Sequence, residues 1–281
     1  MKFSSYLTII RPFNVLFVAF CALFGSFWFA DQKAIFPSFL AALSAGLIAA
    51  GGYVLNDYFD REIDKINRPA RAIPSGNISA DAGKRYAIIL FISGIAISLI
   101  LKHPGMILLA LCNTFLLYLY ARKGKQFGIW GNFLVSFVAA STLLYGGMAN
   151  NNLKNALFGF GVAFFYTMIR ELIKDIEDVE GDRLFQAQTL TIKAGEKTTL
   201  IFAFVFWGIL TILILSGTYL FFDISTLVLI LILVNAYLLV NLTFLGIKMS
   251  RKSASLTEKI MKADMVALLI LLWMGQYGMK A

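Results

Sequence analysis

The stretches NDYFDREID at residues 56–64 and DIEDVEGD at residues 175–182 share one spacing of aspartates, DxxDxxxD. Each copy follows a long apolar run, and ten of the 16 acidic residues lie in residues 57–64 or 171–182. Positions i, i+3 and i+7 of a helix lie along one face. Each copy therefore predicts a helix that carries a stripe of three carboxylates. The first stripe consists of Asp57, Asp60 and Asp64, and the second of Asp175, Asp178 and Asp182.

The composition is typical of a membrane protein. Of the 281 residues, 59% are hydrophobic and 15% are charged, whereas a soluble domain carries about 25% charged residues. Many apolar stretches exceed the roughly 18 residues that cross a bilayer, and the chain begins directly with one of them, without the pattern of a cleavable signal. We predict an all-α polytopic membrane protein with one domain, residues 1–281. Its nine transmembrane helices form a bundle and are predicted at residues 13–30, 36–59, 83–101, 104–121, 128–148, 154–175, 198–219, 224–247 and 261–279.

The distribution of positive charge predicts the orientation of these helices. The net charge is +9, and 21 of the 25 Lys and Arg residues lie near the N-terminus or in the connections that follow even-numbered helices. Because cytoplasmic loops carry the excess of basic residues, we expect the N-terminus in the cytoplasm and the C-terminus outside. Both aspartate stripes then lie on the cytoplasmic side of the cell membrane, where a central cavity of the bundle opens.

The chain has only two cysteines and one histidine, too few for most metal centres that depend on these ligands. Cys21 and Cys112 both lie within apolar runs, and His103 lies in a short loop beside Pro104. The cysteines are expected to be small core residues. Zinc, haem and iron–sulfur centres are therefore not expected.

Three carboxylates on one helix face repel one another unless a cation lies between them. Mg²⁺ suits such a site, since it binds hard oxygen ligands and uses one or two carboxylates together with water and substrate phosphates. The alternative is a solvated helix end in which Arg61 and Lys65 pair with the stripe. The repeated spacing favours metal, and it predicts two facing stripes that hold Mg²⁺ ions bridged by a diphosphate. Glu171 extends the second stripe by one turn, while Glu177 and Glu180 are expected to face water.

Basic residues flank both stripes, as a phosphate site requires. The segment NRPARAIPSG at residues 67–76 has two prolines, a glycine and two arginines, which predicts a rigid loop that contacts phosphate. The segment YLYARKGK at residues 118–125 closes the fourth helix. Basic anchors and an aromatic belt at the membrane surface are the alternative interpretation. The candidate substrate-binding residues are Asn14, Asn56, Arg68, Arg71, Tyr118, Arg122, Lys123, Lys125, Arg170 and Lys174.

The two acidic motifs resemble the signatures of the UbiA superfamily of intramembrane prenyltransferases. The loop at residues 67–76 is similar to the Asn-Arg-Pro loop of that family. The family's Tyr-and-Lys element is matched by Tyr118 or Tyr120 with Lys123 or Lys125. The resemblance implies Mg²⁺-dependent transfer of a prenyl group from a diphosphate donor.

The second motif, together with Thr189 and Leu190, is similar to that of archaeal members of the family. This likeness implies transfer of a geranylgeranyl group from geranylgeranyl diphosphate to geranylgeranylglyceryl phosphate, a lipid-like phosphorylated acceptor within the bilayer. Asp64 or Glu171 is the candidate general base, and Tyr120 is a further candidate catalytic residue. An aromatic acceptor such as a quinone precursor, chlorin or haem is the nearest alternative. A cation or metabolite transporter is the alternative from another class, and neither nucleic acid nor an obligate protein partner is expected.

Overall fold

The computed structural model describes residues 3–28, 30, 34–184, 186–221 and 226–278. In these ranges every regular element is helical, with one short 3-10 helix at Gly124–Gln126. The α-helices are α1 (Phe3–Ile9), α2 (Pro12–Phe27), α3 (Ile35–Phe59), α4 (Arg61–Asn67), α5 (Ala80–Ile100), α6 (Pro104–Lys123), α7 (Ile129–Ala149), α8 (Leu153–Glu177), α9 (Val179–Leu184), α10 (Leu190–Ala194), α11 (Glu196–Phe221), α12 (Thr226–Lys248) and α13 (Arg251–Gly278).

Each of the nine predicted spans overlaps one of the long helices, and the predicted all-α class is confirmed. By length and composition, six helices of the described residues can cross a membrane, namely Ile35–Phe59, Ala80–Ile100, Pro104–Lys123, Ile129–Ala149, Leu153–Glu177 and Glu196–Gly217. Two shorter apolar helices are Pro12–Phe27 and Ile232–Lys248. The protein is therefore a multi-pass membrane protein. The count of nine spans, the central cavity and the orientation of the termini stay predictions. Residues 29, 224, 225 and 279 of the predicted spans lie outside the described residues.

The helices form where the chain is apolar, because the backbone must satisfy its own hydrogen bonds in hydrocarbon. Polar and proline residues set several helix starts. Pro12 and Pro104 lie in the first turn of α2 and α6, where a missing N–H removes no helical bond. Ser79 caps α5 by accepting a hydrogen bond from the backbone N–H of Ala82 at 3.3 Å.

The described residues divide into two compact units. The first contains residues of Met1–Gly124 and Ser141–Leu157, and the second contains residues of Lys125–Ala140 and Phe158–Ala281. The first acidic motif belongs to the first unit, and the second motif belongs to the second. The single domain predicted over residues 1–281 stays a prediction.

Within the first unit, small residues allow close approach of helix backbones. A Cβ added at Gly146 of α7 would lie 1.7 Å from the backbone oxygen of Ala22 in α2. A Cβ at Gly25 would lie 2.1 Å from the backbone oxygen of Leu143. Such small residues are typical of membrane helix interfaces, where close packing replaces the hydrophobic effect as the main attraction.

Within the second unit, phenylalanine rings fill the space between helices. The ring of Phe133 in α7 lies 5.6 Å from that of Phe164 in α8 and 5.9 Å from that of Phe206 in α11, measured between centroids. Phe165 and Phe206 lie 6.1 Å apart. These separations are in the favourable range for aromatic pairs, and the cluster fixes α8, which carries the second acidic motif.

Candidate active site

In both acidic motifs the helix is interrupted at the second aspartate. α3 and α4 meet at Asp60, and α8 and α9 meet at Asp178. Helical hydrogen bonds continue across each junction, since Asp64 N–H donates to the Asp60 oxygen at 2.8 Å and Asp182 N–H donates to the Asp178 oxygen at 2.9 Å. The predicted single stripe is therefore divided. The first aspartate lies on a long helix, the second at the junction and the third on a short helix.

Two carboxylates of the first motif converge on one arginine nitrogen. Arg71 Nη1 donates to Asp57 Oδ1 at 3.1 Å and also to Asp64 Oδ2. Arg11 Nη2 donates to Asp57 Oδ1 at 2.6 Å. Asp57 and Asp64 are only 4% and 5% exposed. Burial at this level rules out a solvated helix end for these two residues. Their charges are instead paired with arginine, as buried charges generally are.

The remaining polar groups of the first motif make local contacts. Asn56 Nδ2 donates to Asp60 Oδ2 at 2.7 Å, which orients the junction carboxylate. Lys65 pairs with Glu62 at 2.7 Å on the exposed side of α4, and this hydrogen bond lowers the pKa of Glu62. Arg61 Nη1 donates to the backbone oxygen of Tyr58 at 2.8 Å. The alternative interpretation requires Arg61 and Lys65 to pair with the aspartate stripe. Instead, both residues make local contacts, and neither pairs with Asp57 or Asp64.

A cavity of about 340 Å³ adjoins Asp57 in the first unit. Arg11, Arg68 and Arg71 all line it, and Asp57 is the one carboxylate among its lining residues. Arg11 adopts a left-handed conformation, with φ 55°, at the turn between α1 and α2. Its guanidinium lies 5.1 Å from the centroid of the Tyr53 ring. Three guanidinium groups against one carboxylate favour an anionic ligand, and guanidinium matches the geometry of phosphate oxygens. The full lining is Thr8, Ile9, Arg11, Asp57, Arg68, Ala70, Arg71 and Ala72.

The segment that closes α6 makes contacts of a different kind. Arg122 Nη1 donates to the Tyr118 hydroxyl at 3.2 Å, and both residues are exposed. Lys123 is also exposed, and Tyr120 is half-buried. The side chain of Lys125 lies outside the described residues. This segment is therefore placed at the surface of the first unit, and its predicted contact with a diphosphate stays a prediction, as does the binding role of half-buried Asn14.

The second motif is held by polar partners within the second unit. Asn132 Nδ2 of α7 donates to Asp175 Oδ2 at 2.8 Å. Lys174 Nζ lies 4.0 Å from Asp178 Oδ2, as the spacing of four residues predicts. Asp182 is 2% exposed. The contact made by Asn132 was missed by sequence reasoning, although a polar residue inside an apolar span is itself a signal of function.

Arginine residues organise the helix that carries the second motif. Arg170 Nη1 donates to Glu171 Oε1 at 2.8 Å, and Arg170 Nη2 donates to Glu258 of α13. Arg251 at the start of α13 pairs with Glu180, and its Nε donates to the backbone oxygen of Glu177 at 3.2 Å. Glu180 faces water, as predicted, with a side chain 67% exposed.

The donor set of the first motif fits a hard divalent cation. Among the described residues, no group of three or more His, Cys, Asp or Glu side chains lies close enough to hold a metal ion together. Mg²⁺, however, uses one or two carboxylates and keeps several waters or phosphate oxygens. Asp57 and Asp64 already converge on one cationic nitrogen. This pair of carboxylates suits Mg²⁺ with a phosphorylated substrate as the further ligand.

The pattern of the UbiA prenyltransferase family matches residues 18–263 of this chain. The chain belongs to that family and is a membrane-bound prenyltransferase, so the resemblance drawn from the two acidic motifs is confirmed. An enzyme, rather than a transporter, is the class that the fold and the motifs define.

Curated relatives of the chain include several synthases of one name. It is 43% identical over 213 residues to the digeranylgeranylglyceryl phosphate synthase of Sulfolobus acidocaldarius, covering 75% of this chain and 76% of the relative. It is 35% identical over 281 residues to the synthase of the same name from Sulfurisphaera tokodaii, covering 98% of this chain and 99% of the relative.

Solved structures share the fold. A structure from work on digeranylgeranylglyceryl phosphate synthase in membranes has a TM-score of 0.85 at 30% identity, covering 97% of this chain and 98% of the other. The structure of a UbiA homologue from Archaeoglobus fulgidus, bound to GPP and Mg²⁺, has a TM-score of 0.72 at 18% identity, covering 94% and 99%. The second likeness concerns the fold alone.

Proposed function

We propose that this chain transfers a geranylgeranyl group from geranylgeranyl diphosphate to the hydroxyl of geranylgeranylglyceryl phosphate. The products are digeranylgeranylglyceryl phosphate, an intermediate of archaeal ether lipids, and diphosphate. The identity of 35% to a synthase of that name over almost the whole of both chains supports this choice. The reaction takes place at the cytoplasmic side of the cell membrane, where the basic connections lie.

The observation that carries this proposal is the arginine-lined cavity beside Asp57. A prenyl donor and a glycerol phosphate acceptor both bring phosphate to the site, whereas a quinone precursor brings none. Arg11, Arg68 and Arg71 supply three guanidinium groups to one cavity of about 340 Å³. The buried carboxylate of Asp57 keeps two of these groups in place through direct hydrogen bonds. A phosphorylated acceptor accounts for the excess positive charge better than an aromatic one.

Six aspartates are proposed to hold Mg²⁺. Asp57 and Asp64 of the first motif converge in the way that two Mg²⁺ ligands must. Asp60 is oriented by Asn56, and Asp175 is oriented by Asn132. Asp178 and Asp182 complete the set by the shared spacing. When bound, Mg²⁺ neutralises charge on the diphosphate and makes it a better leaving group.

In the transfer, one carbon–oxygen bond of the donor breaks and a new carbon–oxygen bond to the acceptor forms. The allylic C–O bond of the donor breaks, and diphosphate leaves with the electron pair. The acceptor hydroxyl oxygen then bonds to the allylic carbon and releases its proton. We assign that proton to the carboxylate of Asp64 or Glu171. Both are buried and hydrogen-bonded to an arginine, Asp64 to Arg71 and Glu171 to Arg170.

Basic residues around the motifs bind the phosphate groups. Arg68, Lys123 and Lys125 are proposed to neutralise the donor diphosphate. Arg71, Arg170 and Lys174 are proposed for the acceptor phosphate. Tyr118 or Tyr120 at the end of α6 is proposed to contact the reacting groups, together with Arg122, Asn14 and Asn56 at the border of the site. The hydrocarbon tails lie among the apolar helices or in lipid, where water is scarce.

The experiment is product identification with purified protein in lipid nanodiscs. Labelled geranylgeranyl diphosphate and Mg²⁺ are supplied with geranylgeranylglyceryl phosphate, with its dephosphorylated form, or with 4-hydroxybenzoate. We expect digeranylgeranylglyceryl phosphate and diphosphate with the first acceptor, and at least about tenfold less product with the second, because the missing phosphate leaves charged groups unpaired. Prenylated 4-hydroxybenzoate, without product from the phosphorylated acceptor, would refute the assignment.

Matched variants locate the reaction at the first motif. Asp57→Asn keeps the size of a proposed metal ligand and removes its charge, so turnover is expected to fall by at least about 100-fold. Glu62→Gln makes the same kind of change two residues beyond Asp60, on an exposed side chain paired with Lys65. This control is expected to keep wild-type turnover. Equal activity of wild type and Asp57→Asn would rule out the proposed role of the motif.

A further inference from the structure

The proposed chemistry does not use Glu258, yet this residue contacts Arg170, five residues before the second acidic motif. Glu258 lies near the start of α13 and accepts a hydrogen bond from Arg170 Nη2 of α8. The two side chains are 14% and 18% exposed. Arg170 directly precedes Glu171, which lies one turn before the proposed metal ligand Asp175. The contact therefore joins α13 to α8 beside Glu171, the residue that extends the motif by one turn.

The guanidinium of Arg170 is held from two sides. Nη1 donates to Glu171 Oε1 at 2.8 Å, while Nη2 donates to Glu258. Its Nε is buried without an acceptor among the described residues. Among the described residues, the two glutamates accept the hydrogen bonds of both Nη atoms and thereby orient this guanidinium. If one of them were lost, the group would be free to turn about its remaining contact.

Further contacts hold α13 against the same part of the chain. The Tyr166 hydroxyl, one turn before Arg170, donates to the backbone oxygen of Met261 at 3.1 Å. Arg251, two turns before Glu258, donates to the backbone oxygen of Glu177 at the end of α8. The Glu258 contact lies between these two tethers along α13. It is therefore part of a fixed interface rather than a chance approach of two mobile side chains.

We propose that Glu258 is a positioning residue for the second acidic motif. By holding Arg170, it fixes the carboxylate of Glu171, which lies one turn before Asp175. This inference rests on the proposed cation-binding role of the motif. Loss of a residue that orients a metal ligand from outside the coordination sphere typically lowers metal affinity or activity by about 10–100-fold.

The charges of the cluster give the sign of the effect. Arg170, Glu171 and Glu258 together carry a net charge of −1. In Glu258→Gln this sum becomes zero, and Arg170 loses the ionised partner that holds Nη2. Both changes make the surroundings of Asp175 less favourable for a cation. The variant should therefore bind divalent cations more weakly while keeping the volume and the packing of the glutamate.

The test measures Mn²⁺ binding to the full-length protein in detergent, by the electron paramagnetic resonance signal of free Mn²⁺. We expect about tenfold weaker binding in Glu258→Gln, in line with other residues that support metal ligands. Glu196→Gln removes the same charge from the first residue of α11 and serves as the control. The control is expected to bind Mn²⁺ as the wild type does. Thermal unfolding of each variant checks that it is folded.

The outcomes separate this inference from the proposed function. If the wild type itself binds no Mn²⁺, the proposed metal role of the motifs fails. If the wild type binds and a folded Glu258→Gln binds equally well, Glu258 does not position the motif. If Glu196→Gln weakened Mn²⁺ binding as much as Glu258→Gln does, the effect would come from the change in net charge. That result would also overturn the inference. Should Glu258→Gln not fold, Arg170→Lys keeps the charge but loses the second donor, and wild-type Mn²⁺ binding in that variant would overturn the inference as well.

Discussion

Replacing Arg71 with glutamine removes a cation that serves two buried carboxylates at once. Nη1 of Arg71 contacts both Asp57 and Asp64, whose side chains are 6% and 7% exposed, while that of Arg71 is 19% exposed. Loss of one partner of a buried pair costs about 3–5 kcal/mol. Asp57 keeps its hydrogen bond to Arg11 at 2.6 Å, so only Asp64 loses a cationic partner outright. We therefore expect the variant to be less stable by about 2–4 kcal/mol, below the upper end of that range.

The assay is thermal unfolding in detergent, without added divalent cation, of wild type, Arg71→Gln, Asp64→Asn and the double variant. Because the two residues are in direct contact, the two single effects should not add. We expect a coupling free energy of about 1–3 kcal/mol, with the double variant more stable than the sum of the single losses implies. Lys65→Gln is the control, since the Lys65–Glu62 pair is exposed, and exposed pairs of this kind contribute little to stability.

The result that would refute this reasoning is additivity. If the double variant shows the sum of the two single losses within about 0.5 kcal/mol, the contact between Arg71 and Asp64 stabilises nothing. A loss for Arg71→Gln no larger than that for the exposed control would lead to the same conclusion.

Three further predictions follow from contacts of the described residues. Asn132→Leu leaves Asp175 without its donor at 2.8 Å, so stability should fall by about 1.5–3 kcal/mol; thermal unfolding that matches the wild type would contradict this. Gly146→Ala places a Cβ against the backbone of Ala22 and should cost about 1–3 kcal/mol by overpacking, whereas Gly208→Ala, with open space around it, should cost nothing measurable in the same assay. Removal of divalent cations with EDTA should abolish diphosphate release and excess Mg²⁺ should restore it, since two carboxylate motifs without a cation cannot neutralise a diphosphate; turnover that persists in EDTA would rule out the metal.

The sequence was sufficient to predict the long helices, because these depend on local patterns of hydrophobicity. Apolar runs of span length predicted the long helices, and the repeated aspartate spacing predicted shared faces. The breaks at Asp60 and Asp178 escaped prediction, since hydrogen bonds of helical type continue across each junction. A slight change of backbone angles, such as ψ 0° at Asp60, leaves the residue spacing unchanged.

Contacts between distant parts of the chain could not be predicted. Arg11 reaches Asp57 over 46 positions, Asn132 reaches Asp175 over 43, and Arg170 reaches Glu258 over 88. Each pairing depends on which helices pack together, and periodicity within one helix carries no information about that. Arg11 was further concealed because basic residues near the cytoplasmic face are expected of any membrane protein.

The short helices that follow Asp60 and Asp178 depend on their surroundings for stability. α4 has seven residues and α9 has six, and helices of this length are not stable by themselves in water. A ligand that engages Asp57 and Asp64 together must hold α4 against the end of α3. By thermodynamic linkage, ligand binding then stabilises folded α4, and folded α4 favours ligand binding to the same extent. A ligand that bound both halves of a motif would therefore add stability to its short helix, α4 in the first motif and α9 in the second.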